Sequence, residues 1–144
     1  MIGGKNMEIK AFNSLPQDAL DLRIKVFVDE QGFVDEVDEF DSVATHLVMY
    51  ENGKPMATCR FYLKDDKETY MFGRLCVLKE YRGKSLGREM LKKVEEIVKE
   101  KGGKAIILHS QYHAKEFYIK CGFSQQGEID YEQNKPHAWM RKEV

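Results

Sequence analysis

Apolar positions recur along this chain in two different periods, and turn residues separate them. Leu20, Ile24 and Phe27 share one helical face. Ser14-Leu-Pro-Gln17 ahead of them reads as a capping box, with Pro16 in the first turn, where a missing N–H costs nothing. The spacing predicts a helix running to about Val28. Residues 29–41, DEQGFVDEVDEFD, hold seven carboxylates and no base, which predicts a loop. Residues 46–50 and 56–63 read as strands joined through Asn52-Gly53, the strongest short hairpin signal. A polar turn at 64–68 leads to another strand at 70–78. The first half is thus a helix followed by an antiparallel meander, preceded by seven residues that read as a ragged end.

From Ser85 the period changes. Leu86, Met90, Val94, Ile97 and Val98 fall at helical spacing, and Gly102-Gly103 supplies a left-handed stop. Residues 105–108 read as a short buried strand. Ala114, Phe117, Tyr118 and Cys121 mark a second amphipathic helix, stopped by Gly122, and strands are expected at 123–129 and 137–141. Strand, helix, strand, helix, strand is the order of a parallel pairing inserted in an otherwise antiparallel sheet. The fold class expected is α+β (an α/β three-layer) with a mixed sheet.

Composition narrows the possibilities. A chain of 144 residues, 42% apolar, fills one core, and no repeat or linker divides residues 1–144 into more than one domain. The 23 basic and 24 acidic side chains leave a net charge of -1, so no whole-chain field points to nucleic acid or an anionic membrane. No apolar run exceeds four residues, and the N-terminus has no stretch of signal-peptide length, so the expected location is cytoplasmic. Cys59, Cys76 and Cys121 are odd in number and widely spaced, against a disulfide framework or a zinc site.

The segment that carries chemistry is Arg74-Leu-Cys-Val-Leu-Lys-Glu-Tyr-Arg-Gly-Lys-Ser-Leu-Gly87, running directly into a helix. A strand, a short basic glycine-bearing turn and a helix N-terminus form an anion site from the backbone alone, since the first helical N–H groups are unpaired and the dipole is positive there. Gly83 and Gly87 keep side chains out of the way, and Arg82, Lys84 and Arg88 add charge. The plainer reading is a strand-to-helix connection whose glycines satisfy turn geometry only, and the spacing alone leaves both open. Neither a Walker A loop nor Gly-x-Gly-x-x-Gly is present.

Four ordered motifs decide. Arg82-Gly-Lys-Ser-Leu-Gly87 resembles the acetyl-CoA signature Arg/Gln-x-x-Gly-x-Gly/Ala of the GCN5-related N-acetyltransferases (the GNAT superfamily), with Ser85 in place of the middle glycine. Leu22-Arg-Ile-Lys-Val-Phe-Val-Asp-Glu-Gln31 resembles the first helix of the small ElaA/YjcF-like branch, Ala114-Lys-Glu-Phe-Tyr-Ile-Lys-Cys-Gly-Phe123 its helix-to-strand turn, and Pro136-His-Ala-Trp-Met140 its closing strand. The resemblance covers nearly everything from residue 8 onward. It implies a mostly antiparallel sheet whose central parallel pair splays apart, flanked by helices. Pantetheine then lies along Leu75, Cys76 and Val77, and the diphosphate sits on Arg82, Gly83, Lys84, Ser85, Leu86, Gly87 and Arg88. It further implies an acetyl-CoA-dependent N-acetyltransferase in which an amine attacks the thioester directly, with no metal and no nucleophilic cysteine. A homodimer is common in the family. Ser85 is expected to weaken the fit without abolishing binding.

Tyr118 is, on the resemblance, the general acid, since a phenol is matched to a departing thiolate; its plainer reading is a core aromatic. Glu30 matches the branch's Glu-Gln pair and is a candidate to hold or deprotonate a cationic amine. His109 and His137 are the histidines expected near the acceptor, and a water chain ending on Glu30 or His109 would serve as the base. The rest of the acidic run reads as a solvated loop, the cysteines as buried small hydrophobes. Loops 29–44 and 125–136 are expected to build the acceptor pocket, and the carboxylates favour a cationic amine. Two alternatives remain at this level: an acetyl-CoA-binding sensor or partner-binding module with little turnover, and an unrelated nucleotide-binding protein using the same turn.

Overall fold

Asn52 and Gly53 both lie in the left-handed region, φ 51° and 81°, as a two-residue hairpin with type I′ geometry requires. They join β2 (Thr45–Glu51) to β3 (Lys54–Leu63) in this computed structural model, which describes residues 6–34 and 37–144. The first five residues of the expected ragged end, and Asp35 and Glu36 of the acidic run, lie outside the described residues. Ahead of the hairpin comes β1 (Met7–Phe12), which pairs antiparallel with β2 from Met7↔Glu51 to Phe12↔His46. The sequence reading gave this strand no element.

Helix α1 (Gln17–Arg23) starts later than the capping box suggested. Pro16 itself is the N-cap, in extended backbone, and no side chain caps the helix. The helix then continues as a π-helical segment, Ile24–Glu30, closed by Gln31 N–H donating to the Val26 carbonyl at 3.2 Å. Beyond it the chain is not loop throughout, because Asp38 caps a 3₁₀ turn, Glu39–Ser42, reciprocally with Asp41. Strand β4 (Thr69–Val77), helix α2 (Leu86–Glu100), strand β5 (Ala105–Gln111), the short helix α3 (Lys115–Lys120), and strands β6 (Ser124–Glu132) and β7 (Lys135–Glu143) complete the order. The strands expected at 123–129 and 137–141 are present and longer than expected, so that the stretch 125–136, also expected as a pocket loop, is the β6–β7 hairpin. Its turn is Gln133-Asn134, both at positive φ.

The chain divides into two compact units, one formed by the chain up to Tyr62 with Arg74–Lys93, the other by Leu63–Gly73 with Val94–Val144. In the first, the strand order is β1-β2-β3-β4; in the second, β4-β5-β7-β6. Strand β4 contributes to both. Its first half pairs parallel with β5 from Thr69↔Ala105 to Phe72↔Leu108, and β5 pairs antiparallel with β7. The mixed sheet with one parallel pair and flanking helices is the fold class the sequence implied.

Packing follows the pattern. In the first unit Ala19, Leu22, Val26, Phe27, Phe33, Val48, Tyr50 and Cys76 bury a common core. In the second, Phe72, Val94, Val98, Ile106, Leu108, Phe123 and Met140 are buried. Burying each such side chain contributes about 1.5–3 kcal/mol. Among the described residues no helix is long and apolar enough to cross a membrane.

Candidate active site

The first unit holds the basic turn. Gly73 is followed in β4 by Arg74 at φ 55°, in the left-handed region, and then by Leu75, Cys76 and Val77. Cys76 is buried, and Leu75 and Val77 are half-buried. A 3₁₀ turn, Lys79–Tyr81, carries the chain to Arg82. Gly83 and Ser85 both have positive φ, 81° and 62°, so the backbone reverses hand twice before Leu86 opens α2. Arg82, Gly83, Lys84, Ser85 and Arg88 are exposed, and Gly87 is half-buried. The Ser85 carbonyl accepts from Glu89 N–H at 3.2 Å, so Ser85 stands immediately ahead of the fifteen-residue helix that Leu86 opens. The turn therefore presents the N-terminus of a long helix to solvent among three cations, an arrangement suited to a polyanion.

Glu30 is part of this turn's surroundings. Arg82 Nη2 donates to both its carboxylate oxygens, at 2.8 and 2.9 Å, while Arg82 Nε donates to the Val77 carbonyl at 2.9 Å. Arg82 thus ties the π-helical end of helix one to the end of β4.

The second unit holds Tyr118 and His109. Tyr118, buried on α3, meets the rings of Phe72, Phe117 and Phe123 edge to face at centroid distances of 6.3, 5.0 and 5.8 Å. The helix ends at Gly122, φ 98°, and Phe123 N–H donates back to the Tyr118 carbonyl. His109, on β5, stacks on Trp139 and on His137 of β7, each at 4.6 Å. Its Nε2 lies 2.6 Å from Asp130 Oδ1 and its Nδ1 3.3 Å from Glu132 Oε1. Both carboxylates were missed by the sequence reading. The available signal was Glu128, Asp130 and Glu132 alternating on one face just before the Pro-His motif.

Comparison with known proteins now bears on the whole chain. The model of the acetyltransferase (GNAT) family matches residues 12–123. The chain belongs to the GNAT family. Bacillus subtilis YyaT is 37% identical over 132 residues, 88% of both chains. A crystal structure from Lactobacillus plantarum superposes with a TM-score of 0.87 at 31% identity, covering 95% of this chain and 97% of that one. Escherichia coli ElaA superposes with 0.84 at 27% identity, over 95% and 99%. These likenesses put this GNAT chain in the ElaA/YjcF-like branch.

The acidic run of this GNAT chain is not a uniformly solvated loop. Asp41 is buried and receives both Nη groups of the buried Arg23, at 2.8 and 3.0 Å, and Arg60 Nη1 at 2.9 Å. Asp38 takes Arg60 at 2.6 and 2.9 Å and Arg74 at 3.2 Å. Burial alone would raise both carboxyl pKa values, but the guanidinium partners win and hold them below the ordinary range. The buried His46 lies with Nε2 2.9 Å from the Asp41 carbonyl, and burial pushes its pKa down. Charge pattern alone could not reveal this, because the basic partners lie 18 to 36 residues away in sequence.

The sheet also brings together donors that sequence spacing kept apart. Among the described residues, His109, Glu132 and His137 place ligand atoms within 4.8 Å of one another, a possible metal cluster. Their geometry fits an ion poorly. Imidazole lone pairs lie in the ring plane, and the two rings are stacked only 27° from parallel, so the lone pairs do not converge.

Proposed function

We propose that this GNAT chain transfers the acetyl group of acetyl-CoA to a primary amine by direct attack, with Tyr118 as general acid. The observation that carries the proposal is the turn at 82–87. Its two left-handed residues, Gly83 and Ser85, open the N-terminus of α2 between Arg82, Lys84 and Arg88. In this scheme the diphosphate rests on Arg82, Gly83, Lys84, Ser85, Leu86, Gly87 and Arg88, and the pantetheine amides pair with the backbone of Leu75, Cys76 and Val77. The diphosphate competes with Glu30 for Arg82, and cofactor binding releases the Glu30 carboxylate toward a cationic acceptor. The amine nitrogen adds to the thioester carbonyl, the C–S bond breaks, and the Tyr118 phenol donates its proton to the leaving sulfur.

Thermal denaturation with and without acetyl-CoA tests the cofactor half. A ligand that binds only the folded chain stabilises it by RT ln(1 + [L]/Kd), about 2.7 kcal/mol at a hundredfold excess over Kd. An unchanged melting temperature at millimolar acetyl-CoA removes the proposal. Gly87→Glu puts a carboxylate where phosphate would sit and is expected to abolish the shift. A thiol-release assay with acetyl-CoA against a broad panel of primary amines tests the transfer itself.

A further inference from the structure

The basic turn of the first unit already carries an anion, and the chain itself supplies it. Glu30 is the last residue of the π-helical segment, where Gln31 N–H closes onto the Val26 carbonyl and fixes the backbone. From there its carboxylate meets Arg82, 52 residues further along the chain, with Nη2 donating to both oxygens at 2.8 and 2.9 Å. The Nε of the same guanidinium donates to the Val77 carbonyl at 2.9 Å. Val77 ends the stretch on which pantetheine is proposed to lie, and Arg82 begins the turn proposed for the diphosphate. One side chain thus covers a carbonyl in the first stretch and withholds a cation from the second. The pair is poised to give way. Arg82 is 44% and Glu30 35% exposed, and an ion pair so open to water contributes little to stability. A diphosphate offers Arg82 more charge and more acceptor oxygens than one carboxylate, in a geometry that suits a planar fork. The same exchange returns the Val77 carbonyl to the pantetheine.

We propose that Glu30 is an internal competitor for the cofactor and so determines the affinity of the turn for diphosphate ligands. In the free chain it holds Arg82 across the contacts that diphosphate and pantetheine take over. The proposal rests on the acetyl-CoA reading of the turn and adds to it the residue that weakens binding. Only chains in which Arg82 has left Glu30 offer the full site, and their fraction scales the apparent affinity for acetyl-CoA and for the CoA product alike. The opposite arrangement is a permanent strut, with Arg82 and Glu30 staying together while phosphate rests on backbone N–H groups. The two differ in sign: removing a competitor tightens binding, and removing a strut loosens it.

Calorimetric titration of the full chain with CoA and with inorganic pyrophosphate decides between them. Glu30→Gln is expected to bind both about threefold or more tightly than the wild type, the scale of an exposed ion pair. Glu30→Asp, one methylene shorter, should tighten binding as well, and it keeps the comparison open if the Gln variant folds poorly. Arg82→Gln should bind more weakly. In that background Glu30→Gln is expected to change little, because no cation remains to compete for. Unchanged or weaker binding in both Glu30 variants overturns the proposal, as does wild-type affinity in Arg82→Gln. Equal tightening with and without Arg82 also overturns it, since Glu30 would then act only by repelling the ligand. On the wild-type chain the Arg82 Nε–H resonance is expected to move on adding CoA as it leaves Val77, and an unmoved resonance with CoA bound overturns the exchange. If no chain binds CoA but pyrophosphate still binds more tightly to Glu30→Gln, the acetyl-CoA reading fails and the competition stands. A turn that takes up neither ligand in any variant fails both.

Discussion

Ser85 shows how one side chain can keep a glycine's geometry. Its φ of 62° is a conformation that costs a non-glycine residue roughly 1 kcal/mol or more. From sequence it looked like a chemical departure from the signature; in the structure it is a conformational match held under strain. Ser85→Gly is therefore expected to raise the melting temperature while leaving acetyl-CoA affinity equal or tighter. A large loss of affinity in a titration would assign a phosphate contact to the hydroxyl. Tyr118 poses the opposite case, a residue whose ring and hydroxyl have separable roles. The ring packs among three phenylalanines, so Tyr118→Phe should keep stability and cofactor affinity. The proposed acid role requires its turnover to fall about tenfold or more in a thiol-release assay. Tyr118→Ala should instead lose about 3–5 kcal/mol of stability through a cavity.

Elements were legible where a local rule fixes them. Gly102 and Gly103 ended α2 as the spacing predicted, but the two glycines serve different ends. Gly102 takes the left-handed stop at φ 81°, whereas a Cβ on Gly103 would collide with Val98 and the Tyr70 ring. Gly103→Ala is expected to destabilise by about 1–3 kcal/mol, read as a lower urea midpoint with unchanged m. The Asn52-Gly53 hairpin and the apolar face of α2 were readable for the same reason. What escaped the sequence depends on partners. Strand β1 has only half-buried residues at Ile9 and Phe12, so its pattern is weak until β2 pairs with it. The π-helical turn depends on which carbonyl Gln31 finds, a choice that a 3.6-residue period does not encode. At the site, the turn at 82–87 and Tyr118 were visible as motifs. Asp130 and Glu132 were not, because only the pairing of Asp130 with His137 and of His109 with Trp139 across β7 puts them beside His109.

On the scale of the molecule the net charge of -1 conceals a concentrated internal balance. Three arginines, Arg23, Arg60 and Arg74, meet two aspartates, Asp38 and Asp41, in the first unit. Both carboxyl groups bind protons more weakly folded than unfolded, so their contribution is complete above the ordinary aspartate range and lost as the pH falls below ~4. His46, whose protonation burial disfavours, acts in the same direction from ~6.5 downward. Acid titration followed by circular dichroism should show stability declining below neutrality and steeply below pH ~4. Asp41→Asn, which removes the carboxylate charge that faces the buried Arg23, is expected to cost about 3–5 kcal/mol at neutral pH.

The division of β4 and α2 between the two units has a consequence for how the chain can come apart. The polypeptide passes from one unit to the other after Tyr62, after Gly73 and after Lys93, so each unit is stitched from two separated stretches. No single cleavage can release either one whole. A protease that nicks the exposed turn at 64–68 leaves a C-terminal fragment carrying residues of both units, and an N-terminal fragment lacking Arg74 and with it one donor to Asp38. Neither unit is therefore encoded by one continuous stretch of the gene.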